Sequence, residues 1–271
     1  SVLRIGTASH ILWICQINHH TFKLLDAAVK NEALPTKQEF IESVSTSTSF
    51  WRYGQKSATE IQNFSRNFVV SRAGINLLLW HLENHRDTRA TITSGHSLAD
   101  IDSIYSFGES LKASSTSFPL DDYRSNLQSA LEESPRVISC KQGISSNLSE
   151  FLGHVLRQRQ TSEVGMDSYD QGYYLKKGGN YSSAPWIVSL GPVAAMAMVD
   201  CCISSGTGPR TVEDFSHHLA GYGIEAKASD VISGDLGQTL RNLGLVLDSP
   251  DAEGGMVLFS PLQRTKGKQP S

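Results

Sequence analysis

The sequence has few cysteines, few charged residues and no long apolar run. Its four cysteines, Cys15, Cys140, Cys201 and Cys202, lack the spacing of a disulfide framework. Charged residues make up only 19% of the 271 residues, and no stretch of about 18 apolar residues is available to span a bilayer. We therefore expect a reduced, cytoplasmic protein that does not bind a membrane. Its 39% hydrophobic residues are enough to build one or two domain cores.

Sequence motifs of common enzyme classes are also missing. The chain has no G-x-S-x-G nucleophile elbow, and the glycines around Ser205–Gly208 lack the lysine of a phosphate-binding loop. A G-x-G-x-x-G dinucleotide-binding pattern does not occur either. These absences predict a protein that works without catalysis and without a bound cofactor.

One histidine cluster points to a different function. His81 and His85 stand four residues apart on a predicted helix, a spacing that lets two imidazoles share a metal ion. His96 and Asp100 follow and could complete the site. However, Glu83 stands at the wrong step for the H-E-x-x-H and H-x-x-E-H patterns. We expect a charged helix end with no metal bound, and a metal-dependent hydrolase is the second alternative function.

The last quarter of the chain has the clearest secondary-structure pattern. Thr211 and Asp214 form a capping-box-like start to one helix. A second helix is predicted from an apolar stripe and ends at Gly244. Two short strand-like runs follow, separated by a loop of acidic and turn residues over 248–255. The apolar stripe consists of Ile232, Leu236, Leu240 and Leu243.

This order of helix, turn, helix and hairpin resembles a winged-helix domain, with the apolar helix Pro192–Ile203 as its first helix. The resemblance implies a module that binds either nucleic acid or protein. Farther upstream, amphipathic patterns and a capping box at Thr36–Glu39 predict further helices. The predicted fold class is therefore mainly α with a small β-hairpin. We predict a helical region over residues 1–184, a winged-helix-like module over 185–262 and a basic, flexible tail over 263–271.

The charge of the module distinguishes between the two kinds of ligand. Residues 185–262 contain nine acidic residues and three basic ones, Arg210, Lys227 and Arg241, so the formal charge is −6. DNA-binding surfaces usually neutralise phosphates with lysine and arginine. We therefore expect the module to dock a protein partner within a multi-subunit complex.

Direct DNA binding by the winged helix is the first alternative function. The module would then contact DNA through its second helix and neighbouring side chains, and basic residues upstream and in the tail Arg264–Lys268 would add charge. The candidate contacts to nucleic acid or partner are Lys176, Lys177, Arg210, Gln238, Arg241 and Asn242.

Two aromatic segments have a structural and a functional interpretation. The aromatic residues Phe50, Trp51 and Tyr53 beside Arg52 are predicted to form a local packing cluster, with an interaction patch as the alternative. Tyr173–Lys177 is predicted to be a hairpin with half-buried tyrosines, with a nucleic-acid surface as the alternative.

Three segments are also similar to accessory subunits of bacterial DNA-defence operons: Asp170–Lys177, Pro185–Trp186 and Leu243–Gly255. That resemblance implies a bacterial, cytoplasmic setting. Together with the missing motifs and the acidic module, it predicts a non-catalytic adaptor or accessory subunit of a DNA-handling, antiviral defence complex.

Overall fold

The computed structural model describes residues 2–45, 50–84, 98, 100–133, 143–160, 170–205, 208–247 and 256–260. Over these residues the chain is mainly helical, and the short strands form three two-stranded sheets. The predicted fold class, mainly α with small β elements, is confirmed. Within the same residues, no helix is both long and apolar enough to cross a membrane.

Ten α-helices and six strands lie in the described ranges. In chain order the helices are α1 (Val2–Val29), α2 (Lys37–Val44), α3 (Ala58–Asn84), α4 (Ile101–Ala113), α5 (Leu120–Glu133), α6 (Ile144–Leu156), α7 (Pro192–Ser204), α8 (Val212–Ala220), α9 (Ala228–Ser233) and α10 (Asp235–Asn242). The strands are β1 (Trp51–Arg52), β2 (Leu175–Lys177), β3 (Trp186–Val188), β4 (Ile224–Glu225), β5 (Val246–Leu247) and β6 (Val257–Leu258).

The chain divides into two compact units. The first contains residues 1–9, 46–60 and 152–271, and the second contains residues 10–45 and 61–151. The boundary expected between residues 184 and 185 lies inside the first unit. Strand β2 before this position pairs with β3 after it, in the register Leu175–Val188 and Lys177–Trp186. The polar turn residues Gly178–Ser183 therefore connect the two strands of a hairpin, which is a second common use of such residues.

The second unit is built around leucine and aromatic side chains from four helices. Its largest cluster brings Leu25 and Val29 of α1 against Leu78 and Leu82 of α3, with further residues from α4 and α5. A smaller cluster contains Leu24, Phe40, Val44 and Tyr105. The predicted capping box at the start of α2 is confirmed, because Thr36 and Glu39 satisfy each other's backbone N–H groups.

The C-terminal part of the first unit follows the predicted pattern with one correction. The capping box of Thr211 and Asp214 opens α8 as expected. The single helix expected from Ile232 to Leu243 is wrong, because α9 ends at Ser233 and α10 begins at Asp235. Gly234 between them is extended, and Ile232 is 41% exposed instead of facing the core.

The packing of α9 on α10 depends on a second glycine. A Cβ atom at Gly237 would lie only 1.9 Å from the Val231 carbonyl oxygen and 2.9 Å from that of Ile232. The absence of a side chain lets the two helix backbones touch, so the chain folds back on itself where a continuous helix was expected. Leu236 and Leu240 remain buried on α10.

The predicted hairpin at Tyr173–Lys177 is present as β2 and β3, but its tyrosines are more buried than expected. Tyr174 has no solvent exposure, and its hydroxyl has no hydrogen-bond partner among the described residues. Burial, followed by the proximity of Tyr222 and Cys201, raises the pKa of this phenol well above its usual value. Its hydroxyl is therefore neutral and desolvated.

Tyr174→Phe is expected to stabilise the first unit, because it removes a buried hydroxyl that has lost its hydrogen bonds to water. A desolvated, unpartnered polar group costs about 1–3 kcal/mol, so the free energy of unfolding should rise by an amount in or just below that range. Urea unfolding measures it. The control is Tyr123→Phe, since the Tyr123 hydroxyl donates to Asp26 at 3.4 Å and its loss should be neutral or destabilising. A Tyr174→Phe variant less stable than the parent would contradict the expectation.

Candidate functional site

The outer face of the β5–β6 hairpin is apolar. Paired residues of an antiparallel ladder point to one side, and Leu247 pairs with Val257 while Val246 pairs with Leu258. Val246 and Leu258 are buried. Leu247 and Phe259 are 58% and 47% exposed, and Phe259 follows Val257 by two residues on the same side. We call Leu247, Val257 and Phe259 the hairpin face.

The hairpin is fixed to the helices of the module by backbone hydrogen bonds. Thr211, just before α8, forms an antiparallel bridge with Val257, and the Val212 N–H donates to the Met256 carbonyl at 3.1 Å. The Phe259 N–H donates to the Leu245 carbonyl at 2.8 Å. The apolar side chains of the hairpin face are therefore displayed on a rigid support.

Two of the three cations of the module are engaged by neighbours. Arg210 forms an ion pair with Asp214 at 3.5 Å. Arg241 donates to the Ile232 carbonyl at 2.9 Å and to the Met256 sulfur at 3.1 Å, so its guanidinium ties α9 to the residue just before β6. The Thr211 backbone N–H, helped by the Thr211 hydroxyl and Arg210, holds the pKa of Asp214 below its usual value. Asp214 is therefore charged at physiological pH.

The exposed charge of the module is mainly negative among the described residues. Glu213 and Asp235 are exposed in the first turns of α8 and α10, where a helix dipole favours an acid. Asp200 accepts a hydrogen bond from Ser260 at 2.7 Å. The acids expected in the hairpin loop, Asp248, Asp251 and Glu253, lie outside the described residues.

The six predicted contact residues are not brought to one place. Lys176, Lys177 and Gln238 line one cleft of about 520 Å³, whereas Arg210, Arg241 and Asn242 do not line it. The Gln238 amide donates to Asn242 at 2.8 Å, so these two side chains of α10 bond to each other. The cleft lies in the first unit and also includes Tyr53, Tyr173, Ile187 and Asp235.

A second cleft of about 760 Å³ adjoins the first, since Gly54 and Ile187 line both. Phe50, Trp51 and Lys56 line this second cleft, together with Arg52, Gln55, Glu60 and Glu225. The backbone of residues 50–57 is held on two sides. The Tyr53 N–H donates to the Glu225 carbonyl at 2.9 Å, and the Val188 N–H donates to the Gln55 carbonyl at 2.9 Å.

The aromatic residues of this segment combine packing with exposure to the clefts. Trp51 is buried, as the predicted packing cluster requires, and the Phe50 ring covers Gly223, where a Cβ atom would lie 2.0 Å away. Burial raises the pKa of Tyr53 above its usual value, while the Ser189 side chain and the Leu190 backbone hydrogen-bond to it. Tyr53 is therefore a neutral phenol in the wall of the first cleft.

The weak metal candidates do not form a described site. His81 is only 6% exposed and packs edge-on against Trp80, Phe118 and Tyr123. Its Nε2 lies 3.2 Å from the Asn126 amide, so the ring belongs to the core and not to the charged helix end that was expected. Asp100 caps α4 through Ser103. His85 and His96 lie outside the described residues. Among those described, no group of three metal-ligating side chains is present.

Comparison with models of protein families, with curated protein sequences and with solved structures gives no significant match. Sequence reasoning missed Lys56 and Ile187. Ile187 pairs with Lys176 across the β2–β3 hairpin, and Lys56, which is far from both in the chain, forms a bridge with Ile187. The only sequence signal was the run of aromatic and basic residues at 50–56.

Proposed function

We propose that this protein is a non-catalytic adaptor or accessory subunit of a DNA-handling complex, in which the C-terminal module docks a protein partner. The observation that carries the proposal is the exposed hairpin face. Leu247 and Phe259 display large apolar side chains to solvent on a fixed hairpin. Apolar and aromatic residues grouped in this way are typical of protein-interaction surfaces.

The electrostatics of the module support a protein partner over duplex DNA. A DNA-reading helix needs arginine or lysine side chains that are free to reach phosphates or base edges. Arg210 and Arg241 are instead bonded to Asp214, Ile232 and Met256. Glu213, exposed in the first turn of α8, would repel phosphates. An apolar surface on an acidic module favours a partner surface that is apolar with basic residues around it.

The order of elements supports the resemblance to a winged helix. Helix α7 precedes α8, the pair α9 and α10 follows, and the antiparallel strands β5 and β6 close the module. The split at Gly234 of the helix predicted from Ile232 to Leu243 departs from the helix, turn, helix and hairpin order of the sequence prediction. In this proposal the hairpin face is the part that meets the partner.

The proposal is tested by a double variant of the hairpin face, Leu247→Glu with Phe259→Glu. Both side chains are exposed, so the fold should be retained to within about 0.5 kcal/mol, but a charged hairpin face should lose its partner. Proteins that co-purify with the full chain from its own cells are quantified by mass spectrometry. We expect at least one stoichiometric partner to be lost with this variant.

The matched control is Ile144→Glu, which places the same charge at a 56% exposed apolar position of α6. It should keep the partner. Equal partner recovery with the parent, the double variant and the Ile144→Glu control would refute docking through the hairpin face.

Binding of the protein to duplex DNA should be no tighter than about 10⁻⁶ M at physiological salt, the range of non-specific contact. Tight, sequence-dependent duplex binding that is lost with Asn242→Ala would instead favour the direct DNA reader.

A further inference from the structure

We propose that the first unit binds a single strand of nucleic acid in the groove formed by the two adjoining clefts. This groove is lined by residues 50–56 and Glu60, by strands β2 and β3, and by α10, which contributes Asp235, Gln238 and Thr239 to the first cleft. Its residues do not include the hairpin face, so the inference is independent of protein docking. A chain with both surfaces would connect a protein partner to a nucleic-acid strand.

The register of the strands places two lysines on either side of one isoleucine. Lys176 pairs with Ile187 across the β2–β3 hairpin, and Lys56 forms an antiparallel bridge with Ile187 from the other side. Paired residues share a face of the sheet. Lys56, Ile187 and Lys176 therefore form one row, which crosses the junction of the two clefts.

These lysines have positive charge that the described residues do not neutralise. Lys56 and Lys176 are both exposed, and neither forms an ion pair with an acid in the described part of the chain. Arg52, in contrast, pairs with Glu225 at 3.2 Å. Lys177 points to the other side, where its ammonium lies 5.9 Å from the centre of the Trp186 ring. The row thus offers two free ammonium groups, which suit phosphates that follow one another along a strand.

The size and lining of the clefts favour a single strand over a duplex. Volumes of about 520 and 760 Å³ lie in the range that accepts groups of small-molecule size. An unpaired base can enter such a cleft, whereas a base inside a duplex is stacked on its neighbours. Tyr53 lines the first cleft, and Phe50 and Trp51 line the second. Aromatic walls beside free lysines are the usual means of holding single strands.

The test is fluorescence anisotropy with a labelled single-stranded DNA of about 12 nucleotides, a length within known site sizes. Each phosphate contact to a single strand contributes about −0.7 to the slope of log affinity against log salt. Contacts from Lys56 and Lys176 therefore predict a slope of about −1.4. Affinity should fall about sevenfold between about 50 and about 200 mM salt. A Lys56→Gln, Lys176→Gln variant should bind more weakly and lose this salt dependence.

Lys227→Gln is the matched control, because Lys227 is exposed in the same unit and does not line the groove. It should leave affinity and slope unchanged. Thermal melting of each variant establishes that the fold is retained. The proposal is overturned if the double variant binds like the parent or if Lys227→Gln weakens binding equally. It is also overturned if a duplex of the same sequence binds as tightly, or if a poly-glutamate peptide displaces the strand as well as unlabelled DNA does.

Discussion

Replacing Leu240 by alanine is expected to destabilise the first unit by about 2–5 kcal/mol, the range for truncating a fully buried leucine. Leu240 has no solvent exposure on α10, and its carbonyl accepts the Leu245 N–H at 2.8 Å, where the chain turns towards β5. Removing the side chain leaves a cavity in the interior of the first unit. The loss should therefore affect the support of the hairpin face as well as α10.

Urea unfolding followed by circular dichroism measures this effect in the transition of the first unit. Leu247→Ala makes the same chemical change at a residue that is 58% exposed, so its cost should stay within about 0.5 kcal/mol. A similar loss for both variants would mean that the burial of α10 is not what stabilises the module. The same conclusion would follow if the Leu240→Ala variant were as stable as the parent.

Gly237→Ala is expected to destabilise the first unit by about 1–3 kcal/mol or more, the range for overpacking a filled interior. Alanine normally stabilises a helix relative to glycine by about 0.5–1 kcal/mol. At this position, however, the new Cβ atom would lie 1.9 Å from the Val231 carbonyl oxygen. Because the obstacle is backbone and cannot rotate away, α9 and α10 would have to separate.

The matched control is Gly6→Ala in α1, another helical glycine of the first unit. A Cβ atom there would meet nothing within 4 Å, so alanine should raise stability by about 0.5–1 kcal/mol. Thermal melting of the two variants should therefore show shifts of opposite sign. If both raise the melting temperature, the close contact between α9 and α10 does not exist in solution.

The local features of the fold could be predicted because they depend on residues close together in sequence. Thr36 with Glu39, and Thr211 with Asp214, are three residues apart, and each pair caps its helix as its spacing indicates. The strands β5 and β6 were found from short apolar runs around a turn-rich loop. The prediction was wrong where one local pattern fits two different structures. The stripe from Ile232 to Leu243 fits one helix by periodicity, yet the chain folds back at Gly234 because Gly237 permits a backbone contact.

The candidate surfaces were predictable only in part for a similar reason. Lys176 and Lys177 are predicted contacts, and both line the first cleft. Arg241 is predicted as a contact too, but its guanidinium bonds to Ile232 of α9 and to Met256 just before β6. Whether a cation is free depends on its neighbours in space. The sequence could not supply those neighbours, since Met256 is 15 residues away from Arg241.

The sequence by itself determined the mainly helical class, the capped starts of α2 and α8, the C-terminal hairpin and the negative charge of the module. These properties follow from composition and from contacts a few residues apart. Only the tertiary structure decided which apolar side chains stay exposed on the hairpin face, and that Lys56 and Lys176 flank Ile187. That row depends on the pairing of Lys56 with Ile187, which are more than 100 residues apart in the chain. Backbone hydrogen bonds are the same for all residue types, so the sequence does not reveal which side chains they bring together.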